Sequence, residues 1–212
     1  LEAARADLAS IRATSEALLR DIYGSEPVVY DPSAWSSYIM TTSLEENVVL
    51  VQGSEAGYSL AVAGQQGDAR YAAFGFNLLV SFANGEQADY RASFERLLAW
   101  QLGGSADSDV PESASVGLVS IGWDHGTVAG WLEAEYPGWQ LSTCDDAATF
   151  SECLVAQDLV VVGAQGAAED AEALATAVDE ALSGGVALIF VHTETWATSA
   201  RASSPRSAPV SC

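Results

Sequence analysis

The chain predicts as an α/β protein whose second half is a parallel, doubly wound sheet. Three observations carry that prediction. From residue 116 onward, short aliphatic runs alternate with helical patterns, and "SVGLVSIG", "GWQLST", "DLVVVGA" and "VALIFV" place strands near 116–121, 139–143, 159–163 and 186–191. These runs are continuous rather than alternating, as expected of strands covered on both faces. Each connection between them holds a helical pattern, which right-handed crossovers turn into parallel neighbours.

The elements follow in order. In residues 1–23, Leu8, Ile11, Leu18, Leu19 and Ile22 share one face at helical spacing, giving an amphipathic helix that "GSEP" ends. A loop rich in Ser, Tyr and Trp spans 30–43. "NVVLVQG", "YSLAVAG" and "ARYAAFGF", joined by Gly-containing connections, read as a small antiparallel β meander. Tyr90, Phe94, Leu97, Leu98 and Leu102 then mark a helix stopped by Gly103-Gly104. Residues 104–115 have an acidic linker composition and divide the chain into 1–103 and 116–196. In the second half, helices are expected at 125–136, around Phe150 to Leu154, and at 169–183. Glu169, Asp170 and Glu172 there suit the positive end of the helix dipole. The simplest topology for this half is flavodoxin-like. Residues 197–212, with two arginines, five serines and no acid, are expected to be a disordered tail of vector or frame-shifted origin, and the α/β domain to be cut short by it.

Composition narrows the function. The chain has 212 residues, 49% of them hydrophobic, enough for a core. Its 29 acidic residues outnumber 8 basic ones, all arginine, for a net charge of −21. That field repels phosphate backbones and anionic lipid, which excludes nucleic acid as a partner. No apolar run is long enough to span a bilayer. A start at Leu1 is expected of a fragment or processed form. Cys144 and Cys153 fit a local disulfide, expected if the protein is made in an oxidising compartment, or two reduced thiols; no C-x-x-C occurs.

Motifs bearing chemistry are few. "GAQGAAED" lacks the G-x-G-x-x-G order, and the three acids at the start of the following helix, Glu169, Asp170 and Glu172, oppose a pyrophosphate, so no nucleotide cofactor is expected. No H-E-x-x-H occurs, and no cofactor of any kind is predicted. His125 with Asp124, and His192 with Glu194, fall at the carboxyl edge of the expected sheet, where such folds bind ligands. They are the candidates for a metal-dependent hydrolytic centre. The alternative reading has Asp124 capping a helix, with His192 and Glu194 held by local hydrogen bonds. Trp35, Trp123, Trp139 and Trp196, in a loop or near strand ends, are candidate stacking groups for sugar.

The segment "QDLVVVGAQGAAEDAEALATAVDEALSGGVALIFVHTETW" resembles class I glutamine-amidotransferase-like domains, in which a Gly-Gly turn leads to the strand whose end carries a catalytic cysteine. "GQQGDARYAAFGF" with "FERLLAWQLGG" resembles a segment common in secreted members of that group, and the chain as a whole is similar to the non-catalytic amino-terminal region of immunomodulating (IMPa-like) secreted metallopeptidases, which act on O-glycosylated proteins. The likeness covers about residues 45–196. Around Val191 to Thr193, where the amidotransferase nucleophile would stand, this chain has Val, His and Thr. The resemblance therefore implies a non-catalytic accessory domain, secreted or periplasmic, with the catalytic zinc domain outside this chain. Its partners would be a glycoprotein or that catalytic domain.

Overall fold

The computed structural model describes residues 2–24, 28, 39, 47–53, 58–163 and 170–192. Helix α1 (Glu2–Tyr23) precedes three strands, β1 (Asn47–Gln52), β2 (Ser59–Gln66) and β3 (Ala69–Phe74). Helices α2 (Leu78–Ala83) and α3 (Ala88–Gln101) follow. Then come β4 (Ser115–Val119), a 3₁₀ turn (Gly122–Asp124), α4 (His125–Glu135), β5 (Gln140–Thr143) and α5 (Phe150–Val155). β6 (Leu159–Gly163), α6 (Ala171–Ser183) and β7 (Ala187–Val191) complete the order. The four strands expected in the second half are present and mutually parallel, as β5-β4-β6-β7. The meander is antiparallel, as its short Gly-containing connections favour.

The structure adds a junction that the sequence pattern did not disclose. β3 pairs in parallel with β7, from Tyr71 opposite Leu188 to Phe74 opposite Val191. The meander and the parallel strands are therefore one mixed sheet of seven, in the order β1-β2-β3-β7-β6-β4-β5. Residues 104–115 connect α3 to β4 within that sheet and lie against the body. Ala106 and Ala114 are buried, and the Trp139 indole donates to the Pro111 carbonyl at 3.0 Å. A side chain at Gly138 would meet the Glu112 carbonyl oxygen at 2.1 Å, so only glycine admits this approach.

Alternation along the strands explains their unbroken aliphatic character. Val116, Leu118, Leu159, Val161, Ala187 and Ile189 enter the core beneath helices α1 to α4. Val119, Val160, Val162 and Leu188 enter a second core with Phe150, Leu154, Ala177 and Ala181 of α5 and α6. Both faces of β4, β6 and β7 are thus apolar, whereas β5, at the edge of the sheet, is mostly exposed. Arg91 of α3 sits over the rings of Phe82 and Trp131, 5.5 and 4.7 Å from their centroids, and pairs with Glu95 and Glu135. It clasps α3 to α4. The Tyr23 hydroxyl donates to the Leu50 carbonyl at 2.7 Å and meets the Tyr90 hydroxyl at 2.9 Å, tying α1 to β1 and α3.

Those tyrosines set an alkaline limit. Burial pushes the Tyr23 phenol up to about 12, against a smaller opposing hydrogen bond from Tyr90. Burial does the same to Tyr136, also to about 12, against the charge of Arg91. The unfolded phenols ionise near pH 10. Both groups bind their proton more tightly when folded, so their contribution is complete below pH 10 and is lost as pH rises from 10 through 12. Circular dichroism across that range should show unfolding begin above pH 10. Tyr136→Phe, which cannot ionise, should shift the onset upward.

Candidate functional site

The carboxyl edge of the sheet gathers the polar side chains. β4 ends at Val119, and the chain then turns through Ser120, whose φ of 53° is left-handed, and Gly122 at 65°. A left-handed serine costs on the order of 1 kcal/mol and persists only where its surroundings impose it. Two contacts do so. The Ser120 amide donates to Asp145 Oδ1 at 2.8 Å. On the other side, a side chain at Gly163, the end of β6, would come within 2.3 Å of the Ser120 carbonyl oxygen. The turn is thus pressed onto β6 and braced by Asp145.

This turn carries Trp123, which is 90% exposed. Asp124 precedes α4 but makes no side-chain cap; its Oδ2 instead accepts from Asn77 Nδ2 at 2.8 Å. Asn77 caps α2 through Oδ1, which accepts from the Val80 amide at 3.3 Å. The expected capping by Asp124 is therefore replaced by a bond between the edge and the first half of the chain. His125 Nε2 lies 3.2 Å from Thr143 Oγ1 at the end of β5, while its Nδ1 is buried with no hydrogen-bond partner among the described residues.

The candidate histidines are drawn apart. His125 leans toward β5, whereas His192 extends β7, its amide donating to the Phe74 carbonyl at 3.0 Å. β4 and β6 lie between those flanks, so three strand spacings, about 14 Å, separate the backbones of β5 and β7. Among the described residues no three His, Cys, Asp or Glu side chains are grouped to hold a metal ion. Glu194 lies outside the described residues, as do Trp35, Trp196, Cys212 and the tail at 197–212.

Of the four tryptophans proposed as stacking groups, Trp139 requires a correction. It is 7% exposed, stacked on Tyr136 with ring centroids 4.2 Å apart, and its indole N–H is taken by Pro111. An aromatic at a strand start packs where the incoming connection crosses it. Cys144 and Cys153 are joined in a disulfide, their Cα atoms 5.8 Å apart. The reduced alternative does not describe this structure. Sequence reasoning missed Asn77, Ser120, Asp145 and Gly163. Of these only Gly163, a glycine closing an aliphatic strand, carried a local signal.

A family model for the immunomodulating metalloprotease N-terminal domain matches residues 18–204, most of the chain. The chain belongs to the immunomodulating metalloprotease N-terminal domain family. The immunomodulating metalloprotease of Pseudomonas aeruginosa is 26% identical to it over 186 residues, which are 88% of this chain and 19% of that protein. Two solved structures of the Pseudomonas aeruginosa metallopeptidase superpose with TM-scores of 0.72 and 0.71, each at 25% identity over 90% of this chain. One of them is in complex with an O-glycopeptide. This member of the family spans about a fifth of the length of those relatives. No helix among its described residues is long and apolar enough to cross a membrane.

Proposed function

We propose that this domain is a non-catalytic accessory module of a secreted, glycoprotein-directed zinc metallopeptidase, contacting the glycoprotein or positioning the catalytic part. The observation that carries the reading is the match to the immunomodulating metalloprotease N-terminal domain over 18–204. The separation of His125 from His192 across the carboxyl edge supports it, because a hydrolytic centre needs its base, nucleophile or metal ligands within hydrogen-bond or coordination reach. The O-glycopeptide bound to the Pseudomonas relative supports a glycoprotein partner. The disulfide suits export to an oxidising compartment, secreted or periplasmic.

In the same reading the parallel half is flavodoxin-like and amidotransferase-like. Numbered from β4, its strands run 2-1-3-4, which is the doubly wound order, with helices on both faces. β3 then occupies the place a fifth parallel strand would take.

Two measurements test the function. The isolated chain is assayed on glutamine, simple esters and a mucin-type glycopeptide, with and without added zinc, and is expected to be silent. The longer parent protein is compared with and without this domain on an O-glycosylated protein and on a short O-glycopeptide, and deletion is expected to impair the first far more. Metal-dependent turnover by the isolated chain, lost in His192→Ala, would reject the accessory reading. It would favour a free-standing metal-dependent hydrolase using the His125/His192 edge.

A further inference from the structure

We propose that Trp123 is a stacking platform for a neutral pyranose ring, and that the Ser120 turn exists to hold it out. The proposal rests on the accessory reading and deepens it by naming the surface and the ligand class. An indole that is 90% exposed leaves apolar area in water that folding could have buried, worth about 25 cal/mol per Å². Here the backbone spends further free energy to keep it there. Ser120 is left-handed, Gly122 is left-handed, and β6 must end in Gly163 for the turn to lie where it does. Such strain is kept at sites rather than in connections that any loop would serve.

The position is also the right one. The turn leaves β4 beside β6, and the connections of these two neighbours depart in opposite directions, from β4 to β5 and from β6 to β7; in open α/β sheets the crevice for ligands lies at that switch. Pyranose recognition needs an aromatic face for the C–H side of the ring and hydrogen-bonding groups at its hydroxyl edge. Asp124 and His125 follow Trp123 directly, while Thr143 and Asp145, bonded to His125 and Ser120, stand on the same edge. Carboxylates suit hydroxyl donors and repel anions. With a net charge of −21 behind them, they select a neutral sugar over a sialylated or sulfated one.

The test uses the full 212-residue chain and three probes: a peptide bearing one neutral O-linked sugar, its unglycosylated twin, and a sialylated form. Binding is read by isothermal titration calorimetry, for wild type, Trp123→Ala and Trp123→Phe. Thermal melts of the variants should match wild type, since Trp123 is exposed. Wild type should prefer the neutral glycopeptide to both other probes. Trp123→Ala should weaken that binding about tenfold or more, and Trp123→Phe should keep part of it. Unchanged affinity in Trp123→Ala, equal binding of the unglycosylated twin, or tighter binding of the sialylated form would overturn the proposal. If the parent enzyme nevertheless needs the domain on glycoprotein, the accessory reading stands and only the sugar platform falls.

Discussion

Phe94→Ala should lower the unfolding free energy by about 3–5 kcal/mol, the range for removing a buried aromatic ring. Phe94 is 1% exposed, with ring centroids 6.4 Å from Phe74, 5.2 Å from Phe82 and 6.4 Å from Trp131. It therefore sits where the sheet, α2, α3 and α4 meet. The space it leaves is hard to collapse, because Arg91 fixes Phe82 and Trp131 from above through ring contacts and through its pairs with Glu95 and Glu135. Phe94→Leu, which keeps most of the volume, should cost about 1 kcal/mol. Urea unfolding followed by tryptophan fluorescence and by circular dichroism measures both. Because Phe74, Phe82 and Phe94 precede residues 104–115 and Trp131 follows them, the loss should appear in one transition common to both probes. Two separate transitions would instead make 104–115 a boundary between independently stable parts. A loss below about 1 kcal/mol in Phe94→Ala would mean that the cluster relaxes around the gap.

Local periodicity disclosed most elements because each had a long enough pattern. "YRASFERLLAW" repeats its apolar residues at helical spacing, and β4, β6 and β7 are too aliphatic to lie anywhere but inside. Helix α2 escaped notice since "LLVSFA" spans only six residues, too few turns for a period to show. The joining of β3 to β7 was invisible for another reason. It pairs residues over a hundred positions apart, and an apolar strand such as "ARYAAF" suits an edge or an interior place equally. The site was legible only as an address. That Asp124, His125 and His192 reach the carboxyl edge follows from strand ends, but which flank each histidine takes depends on strand order. The brace on Ser120 depends on Asp145 and Gly163, contributed by two other strand ends, and no spacing within the sequence announces such a contact.

Replacing Cys144 and Cys153 together by alanine should cost about 2–3 kcal/mol, the chain-entropy value for a closed loop of this size. The sequence separation is 9, so the bond restricts the unfolded chain only locally. A native structure near wild type with a lower urea midpoint is the expected signature, because the effect acts chiefly on the unfolded state. Thiol titration of exported protein under denaturing conditions should find one reactive thiol among the three cysteines, and three would show that the bond does not form there. The bond also bears on the edge. Cys144 is buried beside Gly117 and directly precedes Asp145, the residue that accepts from the Ser120 amide. Removing the bond frees the start of the β5 to α5 connection, so the amide of Ser120 should exchange its hydrogen faster than those of β4 and β6, whose ladder is untouched. Equal exchange at Ser120 in wild type and double variant would show that the backbone alone holds Asp145 in place, through the bond that the residue 144 amide donates to the Leu118 carbonyl at 2.8 Å.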